Sequence, residues 1–417
     1  MFRLHPWKET VFPLLRSHGY YTGIVGKWHL PFPEPEMSMA FDYRNNYFGH
    51  HWENRNGKMR HVTDLNLEDS LYFLRTRPKK KNFALKISFF ATHARDNHYP
   101  SYEPMNKTKA LWYNNVTIPM PKTNTEKHYK ELPSFFRAIK GNGEPKCEGR
   151  TRWKMRFEPD YYQQSIKDLY RMATEVDFAV GEVIKELKKQ GVYNKTMLIF
   201  TTDNGNLHGY VETLLCKKSD DDNNNNFIVR LTILLYVFGN REHGLAEKWF
   251  PFEESIKVPL VIQDPRMPKG KHGTFNDKFT LNIDLAPTIL GAAKIKPSNF
   301  FQGRDIADLY LGKGAKWRKD FFYEYLQGDQ KVDPVTAKGH SGRNWIDASF
   351  ALVTKEWKYI YWPQQNYEQL FNRRLDPFDE FDLLTNSSTY KTPDGVYYKM
   401  QARYNFLKRW AQSGKRV

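Results

Sequence analysis

The sequence has little cysteine and no long apolar run. Its two cysteines, Cys147 and Cys216, lie far apart in 417 residues, which excludes a disulfide framework and a cysteine-based zinc site. A helix that spans a membrane needs about 18 or more consecutive apolar residues. The longest apolar stretch, Phe227 to Phe238, is shorter and contains Arg230. We therefore expect a soluble protein without a membrane span.

A secretory signal peptide is also missing from the sequence. The first residues, Met1 to Lys8, contain no uninterrupted apolar segment. Asn-X-Ser/Thr acceptors nevertheless occur at Asn106, Asn115, Asn194 and Asn386, as they do in secreted or lumenal glycoproteins. Either the protein is cytosolic, or its true beginning is missing and the full-length protein is secreted or enters the secretory-pathway lumen. We predict the second.

Acidic residues are fewer than basic ones. Lysine and arginine number 64 against 47 aspartates and glutamates, and the net charge of +17 would attract a polyanion such as nucleic acid, an acidic membrane or a sulfated glycan. The basic clusters Lys79 to Lys81 and Lys217 to Lys218 are short and lack interleaved aromatic residues, so we predict solvated faces and no nucleic-acid site. With 40% hydrophobic residues, the chain can fill one large domain and a smaller one.

Apolar runs that end in polar clusters predict an α/β sheet. Four of them read as buried strands, at 20–26, 83–90, 197–202 and 258–262. His29, His93 and Asp203 follow the first three of these strands. Because ligands gather beyond the carboxyl ends of strands in open α/β sheets, these three side chains could converge on one site.

The remaining patterns place helices, loops and a second domain. A short helix ending at Gly19 precedes the first strand, and apolar residues from Ile166 to Leu187 recur at helical spacing. The stretch from Tyr99 to Asp160 is rich in proline and charge without periodicity, which favours long surface loops. From Phe350 to Tyr361 the residues alternate like an antiparallel hairpin, and a terminal helix follows.

Histidine, lysine and an Asp-Asn pair at strand ends would suit an oxyanion held beside a hard cation. Lysine offers a point charge, histidine a proton, and Asp and Asn oxygens a calcium or magnesium site. By itself the set is weak, because a single histidine is more often structural and Asp-Asn-Gly is a common turn. The order of the segments along the chain and the residues that flank them decide whether this set marks a functional site.

Five segments, in this order, resemble the signature segments of the sulfatase family: Gly19 to Leu30 with its Gly-Lys-Trp-His block, Thr92 to Ala94, Phe200 to Gly205, Glu242 to Leu260, and Asp376 to Leu384. The resemblance covers nearly the whole chain. A phosphoryl or phosphonate hydrolase of the same superfamily is the nearest enzymatic alternative, and the Gly-Lys-Trp-His block argues against it.

This resemblance implies sulfate ester hydrolysis in an alkaline-phosphatase-like α/β fold. A central mixed sheet flanked by helices would occupy residues 1–330, and a small C-terminal α+β subdomain with an antiparallel sheet would occupy residues 331–417. The family implies a calcium ion and a formylglycine made from cysteine or serine, whose hydrated aldehyde is the nucleophile. The substrate would be a sulfate ester, which the basic charge suggests is carried by a sulfated polysaccharide.

The resemblance also implies roles for individual catalytic residues. Lys27 would steady the nucleophile and a sulfate oxygen, and His29 would hydrogen-bond the aldehyde hydrate and help to collapse the sulfated intermediate. His93 and Lys248 would bind the sulfate and protonate or polarise the leaving oxygen.

For the metal, the resemblance implies Asp203 and Asn204 as ligands. His243 is a weaker candidate, at the rim of the site.

The sequence departs from the family where the nucleophile is expected. Family members carry paired metal-binding aspartates and a Cys/Ser-X-Pro-X-Arg segment before the Gly-Lys-Trp-His block, and the 26 residues before Lys27 contain neither. We therefore expect an N-terminally truncated member that has no nucleophile, has an incomplete calcium site and does not turn over sulfate esters. Alternatives are a non-catalytic sulfatase-like binder of sulfated polysaccharide and a fragment that does not fold stably.

A second departure is the stretch from Tyr210 to Arg241, which contains an Asp-Asn tract and then an apolar tract. Deleting it joins Gly209 to Glu242 and restores a continuous family segment. Gly209-Tyr210-Val211 is what GGG-TAT-GTN encodes, which would place a splice donor there. An acceptor AG followed by one purine would encode Arg241. Our hypothesis is that residues 210–241 are a retained intron in the gene model; a genuine surface loop is the alternative.

Overall fold

The protein is described by a computed structural model over most of its length. The described residues are 6–29, 34–47, 49–96, 98–121, 123, 125–205, 207, 245–312, 314, 316–326, 347–377, 379–385, 390 and 395–413. Residues 210–241, Cys216 and His243 lie outside this part of the chain, so the intron hypothesis and the position of His243 at the site rim stay predictions.

The described residues form eleven β-strands and ten α-helices. The strands are β1 (Tyr21–Gly26), β2 (Tyr43–Asn45), β3 (Trp52–Arg55), β4 (Lys58–His61), β5 (Phe83–Ser88), β6 (Leu198–Thr201), β7 (Leu260–Gln263), β8 (Asp320–Tyr325), β9 (Ser349–Thr354), β10 (Trp357–Trp362) and β11 (Tyr367–Asn372). The helices are α1 (Val11–Ser17), α2 (Glu36–Ala40), α3 (Val62–Thr76), α4 (Asn106–Leu111), α5 (Glu126–Glu131), α6 (Glu148–Arg156), α7 (Pro159–Lys189), α8 (Glu253–Ile256), α9 (Leu285–Ala292) and α10 (Val396–Ser413).

A parallel sheet of order β2-β1-β5 holds the first part of the chain. In β1, every residue after Tyr21 is buried, which is the continuous burial expected of a parallel strand covered on both faces. Tyr21 pairs with Phe83 and Gly26 with Ser88, so β1 and β5 end at the same edge of the sheet. The loops that carry Lys27 and His93 therefore start side by side.

Helices α3 and α7 pack on this sheet and on each other. Phe73 and Leu74 of α3 share a buried cluster with Val183 and Leu187 of α7, and the half-buried Leu198 of β6 packs against it. The predicted helix from Ile166 to Leu187 is confirmed inside the longer α7. Its amphipathic spacing is explained by this packing.

The prediction of long surface loops between Tyr99 and Asp160 was wrong. This stretch contains α4, α5 and α6, and it contributes Tyr102, Ile118, Trp153 and Phe157 to a core cluster with α7. The apolar side chains there anchor irregular backbone and short helices to a partner far along the chain, so no local periodicity reveals their burial.

Strands β6 and β7 form an antiparallel pair, with Leu198 opposite Gln263 and Thr201 opposite Leu260. The predicted strands at 197–202 and 258–262 are thus confirmed. Every residue of both strands is only half-buried. The carboxyl end of β6 leads directly to Asp203.

The C-terminal part is an antiparallel sheet of order β11-β10-β9-β8. The hairpin of β9 and β10 and the terminal helix α10 are confirmed, and Tyr397, Met400 and Tyr404 of α10 pack on Leu352 of β9. The edge strand β8 precedes residue 331, at which we predicted the second domain to begin. The domain limits stay a prediction.

Within the described residues, no helix combines the length and the apolar character needed to cross a membrane.

Candidate active site

The end of β1 fixes the position of Lys27. Gly26 has φ +89°, and a Cβ on it would lie 2.2 Å from the Ser88 carbonyl oxygen, so only glycine fits. The Lys27 amide donates to the same carbonyl at 2.8 Å. The Lys27 Nζ then lies 3.6 Å from Asp203 Oδ2, which joins the end of β1 to the end of β6. His29 follows on the same loop and is exposed.

A second lysine stands close to this pair. Lys86 lies in the middle of β5, and its Nζ is 5.3 Å from the centre of the Trp28 ring. Partial burial lowers the pKa of the Lys86 ammonium; Asp203 opposes this effect and Lys27 adds to it. Lys86 therefore belongs to the positive group around Asp203.

His93 is held from several sides. Its amide donates to the Phe90 carbonyl at 2.8 Å, and its ring stacks on Phe90 at 5.2 Å. Its Nδ1 donates to the Ala94 carbonyl at 2.6 Å, which leaves Nε2 as the nitrogen available to a ligand. Burial and the Lys248 ammonium lower the pKa of His93 to about 4. The ring is therefore neutral at pH 7.

Lys248 is half-buried and lies next to a carboxylate that is itself tightly held. Glu247 is 3% exposed, has φ +80°, and pairs with Arg156 and, at 3.4 Å, with Arg152. Burial would raise the pKa of Glu247, but the two arginines lower it to about 2. Burial lowers the pKa of Lys248, and Glu247 opposes this. Asp96, which faces both arginines, completes the network.

Asp203 and Asn204 stand at the end of β6, where the chain passes very close to α8. The Asn204 amide donates to Asp203 Oδ1 at 3.0 Å, and Gly205 donates to the Ser255 carbonyl at 2.9 Å. The Asp203 side chain is 72% exposed, so its carboxylate is open to a ligand.

These two residues do not by themselves form a calcium site. Calcium takes roughly six to eight oxygen ligands, whereas Asp203 and Asn204 offer only two carboxylate oxygens and one amide oxygen. In the described part of the chain, no group of three or more His, Cys, Asp or Glu side chains could hold a metal. A calcium ion here would need further ligands.

Cys147, the one cysteine among the residues that the structure describes, lacks the features of the expected nucleophile. Cys147 is buried in an aromatic cluster, and burial raises the pKa of its thiol to about 11. It is followed by Glu148, Gly149 and Arg150, not by an X-Pro-X-Arg segment. Cys147 is thus a core residue.

The structure brings together Lys27, His93, Lys248 and Asp203 from four distant segments. Asp203, Asn204 and Lys248 line a cleft of about 2220 Å³ that extends past β7 to β8. Lysines around a neutral histidine favour an oxyanion, because each ammonium can neutralise an oxygen and the ring can exchange a proton. The roles of the individual residues stay predictions.

Sequence reasoning missed Lys86, Glu247 and the arginines that hold Glu247. Lys86 could have been noticed as the one charged residue in an apolar strand segment. Arg152 and Arg156 gave no signal, because they lie in the stretch that we interpreted as surface loops.

Two protein-family models match the chain. The sulfatase model matches residues 3–295, and a model described as N-sulphoglucosamine sulphohydrolase, C-terminal, matches residues 241–405. An N-acetylglucosamine-6-O-sulfatase of Bacteroides thetaiotaomicron is 23% identical over 88% of this chain and 67% of its own. An arylsulfatase of Clostridium perfringens is 25% identical over 79% of this chain and 55% of its own. The chain thus spans about half to two thirds of the length of these curated relatives.

The fold is also found among solved structures. A protein solved in complex with its substrate D-glucosamine-2-N,6-O-disulfate superposes with a TM-score of 0.67 and 19% identity, over 96% of this chain and 82% of the other. At this identity the likeness shows the fold alone. It confirms the predicted α/β architecture with its C-terminal antiparallel sheet.

Proposed function

The chain belongs to the sulfatase family, and we propose from this membership that the protein acts on the sulfate ester of a sulfated sugar. The observation that carries the proposal is the convergence of Lys27, His93 and Lys248 beside Asp203. Two relatives support a sugar as the substrate, one an N-acetylglucosamine-6-O-sulfatase and one solved with a disulfated glucosamine.

The two lysines hold the sulfate oxygens in this proposal. Partial burial makes each ammonium a stronger partner for an anion, because fewer water molecules compete for it. Lys248 is kept in place by the ion pairs of the adjacent Glu247. Lys86 adds positive charge on the same side.

His93 supplies the proton to the leaving sugar oxygen. Its pKa of about 4 in the free protein reflects burial and the nearby lysines. A bound sulfate adds negative charge beside the ring and offsets the lysines, so it raises this pKa. The ring can then hold a proton at Nε2 while Nδ1 stays bonded to the Ala94 carbonyl.

The nucleophile and the calcium ion that the family implies stay predictions for this protein. No Cys/Ser-X-Pro-X-Arg segment occurs in the 417 residues. We expect residues 1–417 alone to bind a sulfated sugar without hydrolysing it. Calcium bound at Asp203 and Asn204 would neutralise a sulfate oxygen as a Lewis acid.

The test is a binding and turnover measurement on the 417-residue chain. Calorimetric titration with glucosamine 6-sulfate should show binding, and Lys248→Ala or Lys27→Ala should weaken it at least 10-fold. Lys185→Ala is the matched control, since Lys185 is an exposed lysine on α7 that pairs with Glu182. If the wild-type chain does not bind the sugar, or if the control weakens binding equally, the proposal fails.

A turnover measurement tests the prediction that the chain has no nucleophile. Release of sulfate from glucosamine 6-sulfate above the rate of a Lys27→Ala variant would show that the chain is active after all. Modification of a cysteine to formylglycine would be visible by mass spectrometry.

A non-catalytic binder of sulfated polysaccharide is the second candidate. The net charge of +17 favours it, because a chain of sulfates would meet many cations. Binding of this kind spreads over the surface and weakens steeply with salt. Lys185→Ala and Lys248→Ala would then have similar effects on heparin affinity, whereas a specific site depends on Lys248.

Secretion stays part of the proposal. The sequon residues Asn106, Asn115 and Asn194 are exposed, as acceptors of a glycan must be. Expression in a secreting cell line, followed by glycosidase treatment, tests whether they are used.

A further inference from the structure

A buried histidine outside the predicted site lies directly behind His93. His51 is 0% exposed, and its Nε2 lies 2.8 Å from the His93 carbonyl oxygen. We propose that His51 is a positioning residue, which sets the orientation of His93 for sulfate. This inference rests on the proposed function, in which His93 contacts the substrate.

The first contact is a hydrogen bond with a fixed direction. A carbonyl oxygen only accepts, so the His51 Nε2 carries the hydrogen and donates it. The donor is present in the neutral ring, whose tautomer this bond selects, and also in the charged ring. The proposal therefore does not depend on the titration of His51.

The second contact is the Phe90 ring, which lies between the two histidines. The His51 and Phe90 centroids are 5.3 Å apart, and those of Phe90 and His93 are 5.2 Å apart. His51 thus supports the His93 ring through Phe90 and holds the His93 main chain through the carbonyl. Two independent supports on one residue restrict both the backbone and the ring.

The hydrogen bond from His51 to the His93 carbonyl affects the His93 Nε2 through the peptide unit that joins residues 93 and 94. The His93 carbonyl belongs to the 93–94 peptide, and the next carbonyl, that of Ala94, accepts from the His93 Nδ1. If the 93–94 peptide turned, the Ala94 carbonyl would move and the ring would lose the bond that leaves its Nε2 free. His51 prevents this turn.

His51 is itself anchored through its main chain. Its carbonyl accepts from the Val62 amide at the start of α3, at 2.8 Å. Its Nδ1 lies 3.4 Å from Glu103 Oε2, a contact that becomes an ion pair only when the ring is protonated. The start of α3 therefore fixes the backbone that carries the His51 ring.

His61 offers a matched control. It is 1% exposed and stacks on His51 with centroids 6.3 Å apart. Its Nε2 donates to the Glu103 carbonyl at 3.1 Å, and its Nδ1 accepts from the Thr63 amide at 3.3 Å. It is as buried as His51, but its ring hydrogen-bonds to the main chain of Glu103 and Thr63 and not to His93.

The experiment compares His51→Phe, His51→Gln and His61→Phe in the full chain. The phenylalanine variants keep ring volume and lose the donor, whereas the glutamine amide can donate from near the position of Nε2. Two quantities are measured: the affinity for glucosamine 6-sulfate, and the NMR signals of the His93 ring in selectively labelled protein. Melting temperatures report the purely structural effect.

We expect His51→Phe to weaken sugar binding by roughly 3- to 10-fold, the worth of one hydrogen bond, and to shift the His93 ring signals. His51→Gln should restore affinity to within about 2-fold of wild type. His61→Phe should lower the melting temperature without either effect. If His51→Phe does not fold, His51→Asn replaces it, because its shorter amide does not reach the carbonyl.

Two outcomes overturn the inference. One is unchanged affinity and unchanged His93 signals in the variant that lacks the donor. The other is an equal loss in His61→Phe, which would indicate a packing effect. If the wild-type chain binds no sulfated sugar, the proposed function fails, and the His93 signals of the unliganded variants still decide whether His51 orients that ring.

Discussion

Replacing Glu247 by glutamine should strongly destabilise the fold, because it removes the charge of a buried carboxylate that pairs with two buried arginines. Glu247 is 3% exposed and lies against Arg156 and Arg152, which are both almost fully buried. The substitution keeps the shape and removes the charge. After this substitution, the half-exposed Asp96 remains as an acidic partner of both buried guanidinium groups. Arg152 also keeps its ion pair with Glu148.

The loss in the free energy of unfolding can be worked out in two ways. The pKa of Glu247 falls from its usual 4.5 to about 2 in the folded protein, which corresponds to about 3 kcal/mol at about 1.4 kcal/mol per tenfold change. Removing one member of a buried pair costs roughly 3–5 kcal/mol in other proteins. We therefore expect the free energy of unfolding to fall by about 3–5 kcal/mol at pH 7.

The pH dependence has a definite sign. The folded carboxylate holds its proton less tightly than the unfolded one, so the stabilisation is complete above pH 4.5 and is lost as the pH falls towards about 2. In Glu247→Gln this part of the acid dependence should disappear, and the two proteins should converge in stability at low pH.

Urea unfolding of wild type, Glu247→Gln and Glu148→Gln between pH 3 and 7 measures these differences. Glu148 is the matched control, since it accepts from Arg152 at 3.0 Å but is 19% exposed. Its loss should cost about 1 kcal/mol or less. The reasoning is refuted if Glu247→Gln loses less than about 1 kcal/mol at pH 7 or if both variants lose the same amount.

Three further predictions concern the neighbouring segments. Burial, and secondly a nearby aspartate, raises the pKa of Glu254 well above its usual value, so the folded chain holds this proton more tightly than the unfolded chain and loses stability as the pH rises above about 4.5. Glu254→Gln should therefore melt at a higher temperature than wild type at pH 8, with the difference shrinking towards pH 4.5; equal melting at pH 8 would contradict this. A Cβ at Gly205 would lie 1.9 Å from the Glu254 carbonyl oxygen, so Gly205→Ala should lower the free energy of unfolding by roughly 1–3 kcal/mol in urea titration, and a neutral result would show that α8 can shift freely. Because the Leu207 amide donates to the Glu247 carbonyl at 2.8 Å, deleting residues 210–241 should leave a cooperative thermal melt at an equal or higher temperature, and a loss of cooperativity would count against the intron hypothesis.

Much of the fold could be predicted from the sequence because its signals are local. Strand β1 has a continuous apolar run with a glycine at its end, and α7 has apolar residues at helical spacing over about six turns. The stretch from Tyr99 to Asp160 could not be predicted in this way. Its buried aromatic residues are spaced by irregular turns, and only their contact with α7 makes them core.

The candidate site likewise has one part that could be predicted from the sequence and one part that could not. The sequence by itself determined the family, and it determined the ends of β1 and β6 as the places where Lys27 and Asp203 stand, since each residue directly follows a recognisable strand. Only the tertiary structure decided which other residues surround the site. Lys86, Glu247 and His51 come from a strand interior, an irregular loop and the start of a hairpin, and their local sequence does not show which residues they contact. They act through distances of a few ångströms to residues far along the chain, and such distances exist only after the chain has folded.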